Sequence, residues 1–223
     1  MKATAEPRHR RAAPDKTGGA AGNEKLTAMT GSLLLLLLAV EGLTILRIHE
    51  LLTVHFFVGM LLVGPVLLKM CSTGYRFVRY YAGSAPYVKK GPPAIVLRLL
   101  GPVLMATSVG VIGTGVVLAF TGPGYSLWLL AHKAFFIIWF GAMTIHVLWY
   151  APQVPRILRG DSPHLEGART VLAGAGRRWL LLFTALAIGL LTAVATYHTA
   201  GNWLGPPKHG LVRFNTLHHQ IGP

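Results

Sequence analysis

The chain has 223 residues, of which 52% are hydrophobic and 13% charged, about half the charged share of an ordinary soluble domain. Its formal net charge of +14 does not indicate nucleic acid, because the Lys and Arg residues fall between long apolar runs on alternate loops, as cationic loops beside anionic lipid do. The single cysteine, Cys71, excludes an internal disulfide and any cysteine-based zinc or iron–sulfur site.

Residues 1–27 are polar and rich in Arg, Gly and Ala. They carry too little apolar surface to fold and are expected to form a disordered tail. A first span covers residues 28–46 and includes a leucine run at 33–38. The apolar stretch 33–70 is too long for one crossing, and Arg47-Ile48-His49-Glu50 divides it. Each part then approaches the ~20 residues that cross a bilayer. The second span covers 51–70. A basic loop follows, with Arg76, Arg79, Lys89 and Lys90 among Tyr75, Phe77, Tyr80 and Tyr81, a mixture suited to a membrane interface.

Pro92 and Pro93 stop any helix before the third span, 95–120. This span is rich in small residues that allow close helix approach in lipid: Gly101, Ser108, Gly110, Gly113, Thr114 and Gly115. A Thr121-Gly122-Pro123-Gly124 turn leads to the fourth span, 126–150. Residues 153–178 form a second basic loop, 179–198 a fifth span, and 199–223 a polar tail. The expected fold is therefore an all-α polytopic transmembrane bundle of about five helices, with a four-helix core at 28–152.

Of 21 Lys and Arg residues, 17 lie in the first tail and the two basic loops with their flanks, against 4 on the opposite side. The positive-inside rule puts the first tail in the cytoplasm and the last tail outside a bacterial-type cell membrane.

Ionisable residues inside spans are costly and are read as functional candidates. Here they are Glu41, His55, His132 and His146. With the orientation above, Glu41, His55 and His132 converge on one level in the outer third of the bilayer, from three different spans. His132 and His146 are separated by about 21 Å along the fourth span and by only about 40° around it. Gly59 stands one turn below His55 on the same face and leaves room there for a flat group.

The segments 54–59 (VHFFVG) and 131–147 (AHKAFFIIWFGAMTIHV) resemble the b-type cytochrome membrane subunits of bacterial respiratory enzymes. The resemblance covers residues 28–152 and identifies no subfamily. It implies haem b held non-covalently between helices, with His55 and His132 as axial ligands and electron transfer as the function. In that group a histidine pair 13 or 14 residues apart on one helix often serves two haems. Here Lys69 stands 14 residues after His55 in place of a histidine. One outer haem is therefore expected, an inner haem at His146 is not, and Lys69 is expected to reach lipid phosphate. Quinol or a redox protein at the basic loops would supply electrons, and this chain would be the membrane subunit of an oxidoreductase.

Each candidate also has a plainer role. His55 and His132 can bond polar groups on neighbouring helices. His146, close to Trp149 and Tyr150, suits interfacial packing. Glu41 is either a protonated buried acid, a proton acceptor, or a group that orients a ligand histidine. His49 faces water, His198 is a rival partner for His55, and His209, His218 and His219 lie in a solvated tail. Two other functions remain open: a cofactor-free anchor for a partner complex, and a small proton-linked transporter. The absence of an inverted repeat with broken helices counts against transport.

Overall fold

The computed structural model describes residues 19–91, 95–124, 126–155 and 174–204, which contain helices and no strand. The helices are α1 (Gly19–Leu46), α2 (Ile48–Tyr81), a single turn α3 (Ala85–Val88), α4 (Ile95–Thr121), α5 (Ser126–Tyr150) and α6 (Ala175–Thr196). A 3-10 turn (Tyr197–Ala200) and α7 (Gly201–Leu204) follow. The expected all-α bundle is present. Five helices, α1, α2, α4, α5 and α6 with its continuation, are long and apolar enough to cross a membrane. No more than 28% of any spanning window is buried within the chain, so most of their apolar surface is left for lipid to cover.

The divide between the first two spans is tighter than the sequence suggests. Arg47 alone breaks the helix, at φ −130° and ψ 47°, and Leu51 adds a kink at φ −107° and ψ 18°. The backbone N–H groups of Glu50 and Leu51 both donate to the Arg47 carbonyl, which restarts the helix at once. Glu50 forms an exposed pair with Arg47 at 3.5 Å, and His49 is exposed as expected.

Two elements run further than the sequence indicates. α1 begins at Gly19, taking in residues assigned above to the tail. This extension is polar, but it is not left to solvent. Asn23 donates to the Ser72 carbonyl at 3.0 Å, Thr27 to Ser72 Oγ at 3.1 Å, and Lys90 pairs with Glu24. α2 continues through the basic segment to Tyr81 and ends on Ala82 and Gly83, whose N–H groups return to Val78 and Tyr80. Gly83 takes a positive φ of 73°, the usual left-handed helix stop. Charged residues at an interface do not end a helix; a change of backbone hand does.

α6 docks closely on α2. A Cβ on Gly64 would stand 1.9 Å from the Ala185 carbonyl oxygen, and one on Gly189 would stand 2.1 Å from that of Leu61. Pro65 follows Gly64 and supplies no N–H to the Leu61 carbonyl, so the oxygen facing Gly189 is one that the helix ladder leaves unused. α4 and α5 form a second hairpin, turned by Gly122 at φ 72°. Phe135 lies over Gly110, and Trp139 Nε1 donates to Ser108 Oγ at 3.0 Å. The result is a layer of α1, α2 and α6 facing the α4–α5 hairpin.

Candidate functional site

A cavity of about 450 Å³ lies between the two layers, within the ~300–1,000 Å³ range of small-molecule pockets. Its walls come from α1, α2, α4 and α5, and they are mostly Leu, Val, Ile, Met and Phe. All five candidates from the sequence line it: Glu41, His55, Gly59, His132 and His146. His198 does not; it is exposed in the 3-10 turn. The tail histidines 209, 218 and 219 lie outside the described residues.

His55 and His132 are held by the same device. His55 Nδ1 lies 3.0 Å from Thr44 Oγ1 and 2.9 Å from Glu41 Oε1. His132 Nδ1 lies 3.0 Å from Thr114 Oγ1 and 3.0 Å from the Val111 carbonyl oxygen. Each threonine sits on the preceding helix of the same hairpin. Each spends its own proton on a backbone carbonyl, Thr44 on Glu41 and Thr114 on Gly110, both at 2.6 Å. The hydroxyl oxygen is then left as an acceptor, so both imidazoles donate from Nδ1 and carry the lone pair on Nε2. Among the described residues no hydrogen bond engages either Nε2. That is the form in which histidine binds a metal.

Glu41 has a second feature. Its Oε2 is buried and has no hydrogen-bond partner among the described residues. Gly59 stands beside this carboxylate: a Cβ there would lie 3.4 Å from Glu41 Oε1. The glycine thus borders the acid as well as the cavity. On the opposite wall, a Cβ on Gly115 would come within 3.2 Å of His132 Cε1, so that glycine leaves space for the ring.

Thr44, Thr114, Gly115 and Trp203 are site residues that the sequence did not mark as such; Thr114 and Gly115 were read only as small packing residues. The threonines carry no charge and so escaped a search for ionisable groups. Their signal is a buried hydroxyl within two turns of the C-terminal end of each helix that precedes a histidine helix. Trp203, assigned to the solvated tail, folds back over the cavity. Its Nε1 donates to the Leu118 carbonyl at 2.9 Å, and its ring lies 5.9 Å from that of Phe56.

The end of the cavity lined by His146 differs from expectation at Lys69. Instead of reaching outward to lipid, Lys69 turns inward, donates to the Thr27 carbonyl at 2.7 Å and lines the cavity with His146. His146 also packs against Tyr150, ring to ring at 4.9 Å.

No family model, curated protein or solved structure matches the chain. The functional argument therefore rests on the site. Among the described residues no group of three or more His, Cys, Asp or Glu side chains is placed to hold a metal ion. A bare zinc-type ion, which takes at least three protein ligands, does not suit this donor set. Two imidazoles that line an apolar cavity and are bonded through Nδ1 suit a metal whose other ligands come with it, in a prosthetic group.

Proposed function

We propose that the chain is a b-type cytochrome of the cell membrane, holding one haem b between its two layers and carrying electrons. The observation that supports this most is the paired anchoring of His55 and His132 on opposite walls of one apolar cavity. Bound haem would supply a one-electron iron couple, and His55 and His132 would be the residues that hold it.

The remaining work falls to the chain's own residues. Thr44 and Thr114 fix the ring orientation and tautomer of the two histidines. Glu41 accepts the Nδ1 proton of His55 and raises the electron density of that imidazole. Trp203 closes one end of the cavity against water. The apolar walls lower the local dielectric, which favours the less charged state of the site. In this reading the Arg- and Lys-rich segments face the cytoplasm, and electrons come from quinol or from a protein at those segments.

The test is haem retention in point variants expressed with ample haem supply. His55→Ala and His132→Ala should each lose the bound haem, and His146→Ala should keep it. Equal haem in all three variants would remove the proposed ligands. A wild-type protein without haem would favour a cofactor-free membrane anchor.

A further inference from the structure

α2 has 34 residues and is therefore about 50 Å long at 1.5 Å per residue. A bilayer with its headgroups is ~40–45 Å thick, so the last turns of α2 reach headgroup level. One face of these turns continues the wall of the cavity. Lys69 and Thr73 line it, and Arg76 follows one turn later on the same face. On α4 the lining ends at Gly101, and Arg98 stands one turn beyond it, in the first turn of that helix. The cavity thus runs out between two arginines, one on each flanking helix.

Both arginines are turned to the gap between α2 and the α4–α5 hairpin. Arg98 Nη2 donates to Tyr81 Oη on α2 at 3.1 Å, and Tyr81 packs against Phe77 at 4.5 Å and Tyr80 at 5.2 Å. Arg76 lies within electrostatic reach of Tyr150, the last residue of α5. Among the described residues the carboxylate pairs are Glu50 with Arg47, Glu41 with His55 and Glu24 with Lys90, so none is paired with Arg76, Arg98 or Lys69. A guanidinium carries five N–H donors and an ammonium three. Arg98 spends one on Tyr81, and Lys69 spends one on the Thr27 carbonyl. A fatty carboxylate would satisfy the two arginines and leave nothing for Lys69. A glycerophospholipid carries a phosphate, then ester carbonyls, then an acyl chain. That order matches Arg76 and Arg98, then Lys69, then the apolar wall of Val66, Leu104 and Met105. Basic pockets between membrane helices bind anionic headgroups in this way.

We propose that one anionic phospholipid is bound in this gap, with its phosphate at Arg76 and Arg98 and an acyl chain in the Lys69–His146 end of the cavity. The site does not depend on haem. The probe is phosphatidylglycerol, added with an equal concentration of phosphatidylcholine of the same chains to delipidated full-length protein in detergent. Bound lipid is counted by native mass spectrometry. The wild type should retain one phosphatidylglycerol per chain in preference to phosphatidylcholine. Affinity should fall about tenfold in Arg76→Gln and in Arg98→Gln, the loss of a charge-assisted hydrogen bond. Arg79→Gln removes the same charge from α2, but Arg79 is turned to Tyr87, 5.9 Å from the ring centre, and this variant should bind as the wild type does. Gly101→Leu changes no charge. A Cβ there meets nothing within 4 Å, so the new side chain enters the path of the acyl chain and should also weaken binding. Far-UV circular dichroism checks that each variant is folded.

Equal retention of phosphatidylcholine by the wild type would overturn the proposal, and that comparison needs no variant. Unchanged affinity in the folded Arg76→Gln and Arg98→Gln proteins, or an equal loss in Arg79→Gln, would overturn it as well. Displacement of the lipid by inorganic phosphate alone, or unchanged affinity in folded Gly101→Leu, would overturn the place given to the acyl chain. If no haem is found but phosphatidylglycerol still depends on Arg76 and Arg98, the haem reading falls and this one stands. If haem is present and the arginine variants bind lipid normally, only this one falls.

Discussion

A histidine in a membrane helix needs a partner for one nitrogen before the other can serve a ligand. At His55 and His132 that partner is a threonine whose own proton is already spent on a backbone carbonyl. Thr114→Val keeps the side-chain volume and removes one of the two acceptors at His132 Nδ1, leaving the Val111 carbonyl. It should weaken haem retention by about tenfold, the lower end of the effect of losing a group that orients a metal ligand, measured as haem remaining per chain after challenge with apomyoglobin. Glu41→Gln should leave haem bound but raise its midpoint potential, because a neutral amide stabilises the oxidised iron less than a carboxylate does. A potentiometric titration reads the shift; a lower or unchanged potential would mean that Glu41 does not act through His55. The histidines and the acid were legible in the sequence because ionisable groups in apolar runs are rare. The threonines were not, because Thr is common in spans and only the facing helix shows which hydroxyl meets a ring.

The boundaries of elements follow from where polar side chains find partners. Residues 19–27 look like a tail by composition, yet Asn23, Glu24 and Thr27 are tied to Ser72 and Lys90, and the helix starts there. Lys69 looks like a snorkelling lysine by position, yet the Thr27 carbonyl draws it inward. Such long-range partners leave no trace in local periodicity, which explains why the spans were legible and their ends were not. The α2–α6 contact is different again. Gly64 and Gly189 are ordinary membrane glycines in the sequence, and only the close approach of Ala185 and Leu61 shows their use. Gly64→Leu has no space to enter and should separate α6 from α2, lowering stability by about 1–3 kcal/mol or more. A fall in thermal midpoint in detergent would check this, with Gly74→Leu, which faces open space, as the control that should change little.

At the scale of the whole molecule, two layers of apolar helices enclose one cavity and turn their outer surfaces to lipid. The charge distribution, 17 of 21 basic residues on one side, predicts a single orientation. In a Cys71→Ser background, Gly124→Cys should react with an impermeant maleimide on intact cells, and Lys90→Cys only after permeabilisation; the reverse pattern would invert the topology. That Glu41, His55 and His132 come together from three spans was readable from span order; that α6 packs on α2, rather than being appended to a four-helix core, was not. Nor was it readable that the His55–His132 and Lys69–His146 levels share one continuous cavity, because that depends on how far the α4–α5 hairpin stands from α2.

The central proposal is that His55 and His132 would hold haem b in the cavity. Its most direct test is the reduced-minus-oxidised visible spectrum of the purified wild-type protein, with haem per chain from a pyridine haemochrome assay. The account predicts sharp b-type bands at about one haem per chain, characteristic of two nitrogen ligands. A protein free of haem after expression with ample supply would contradict it.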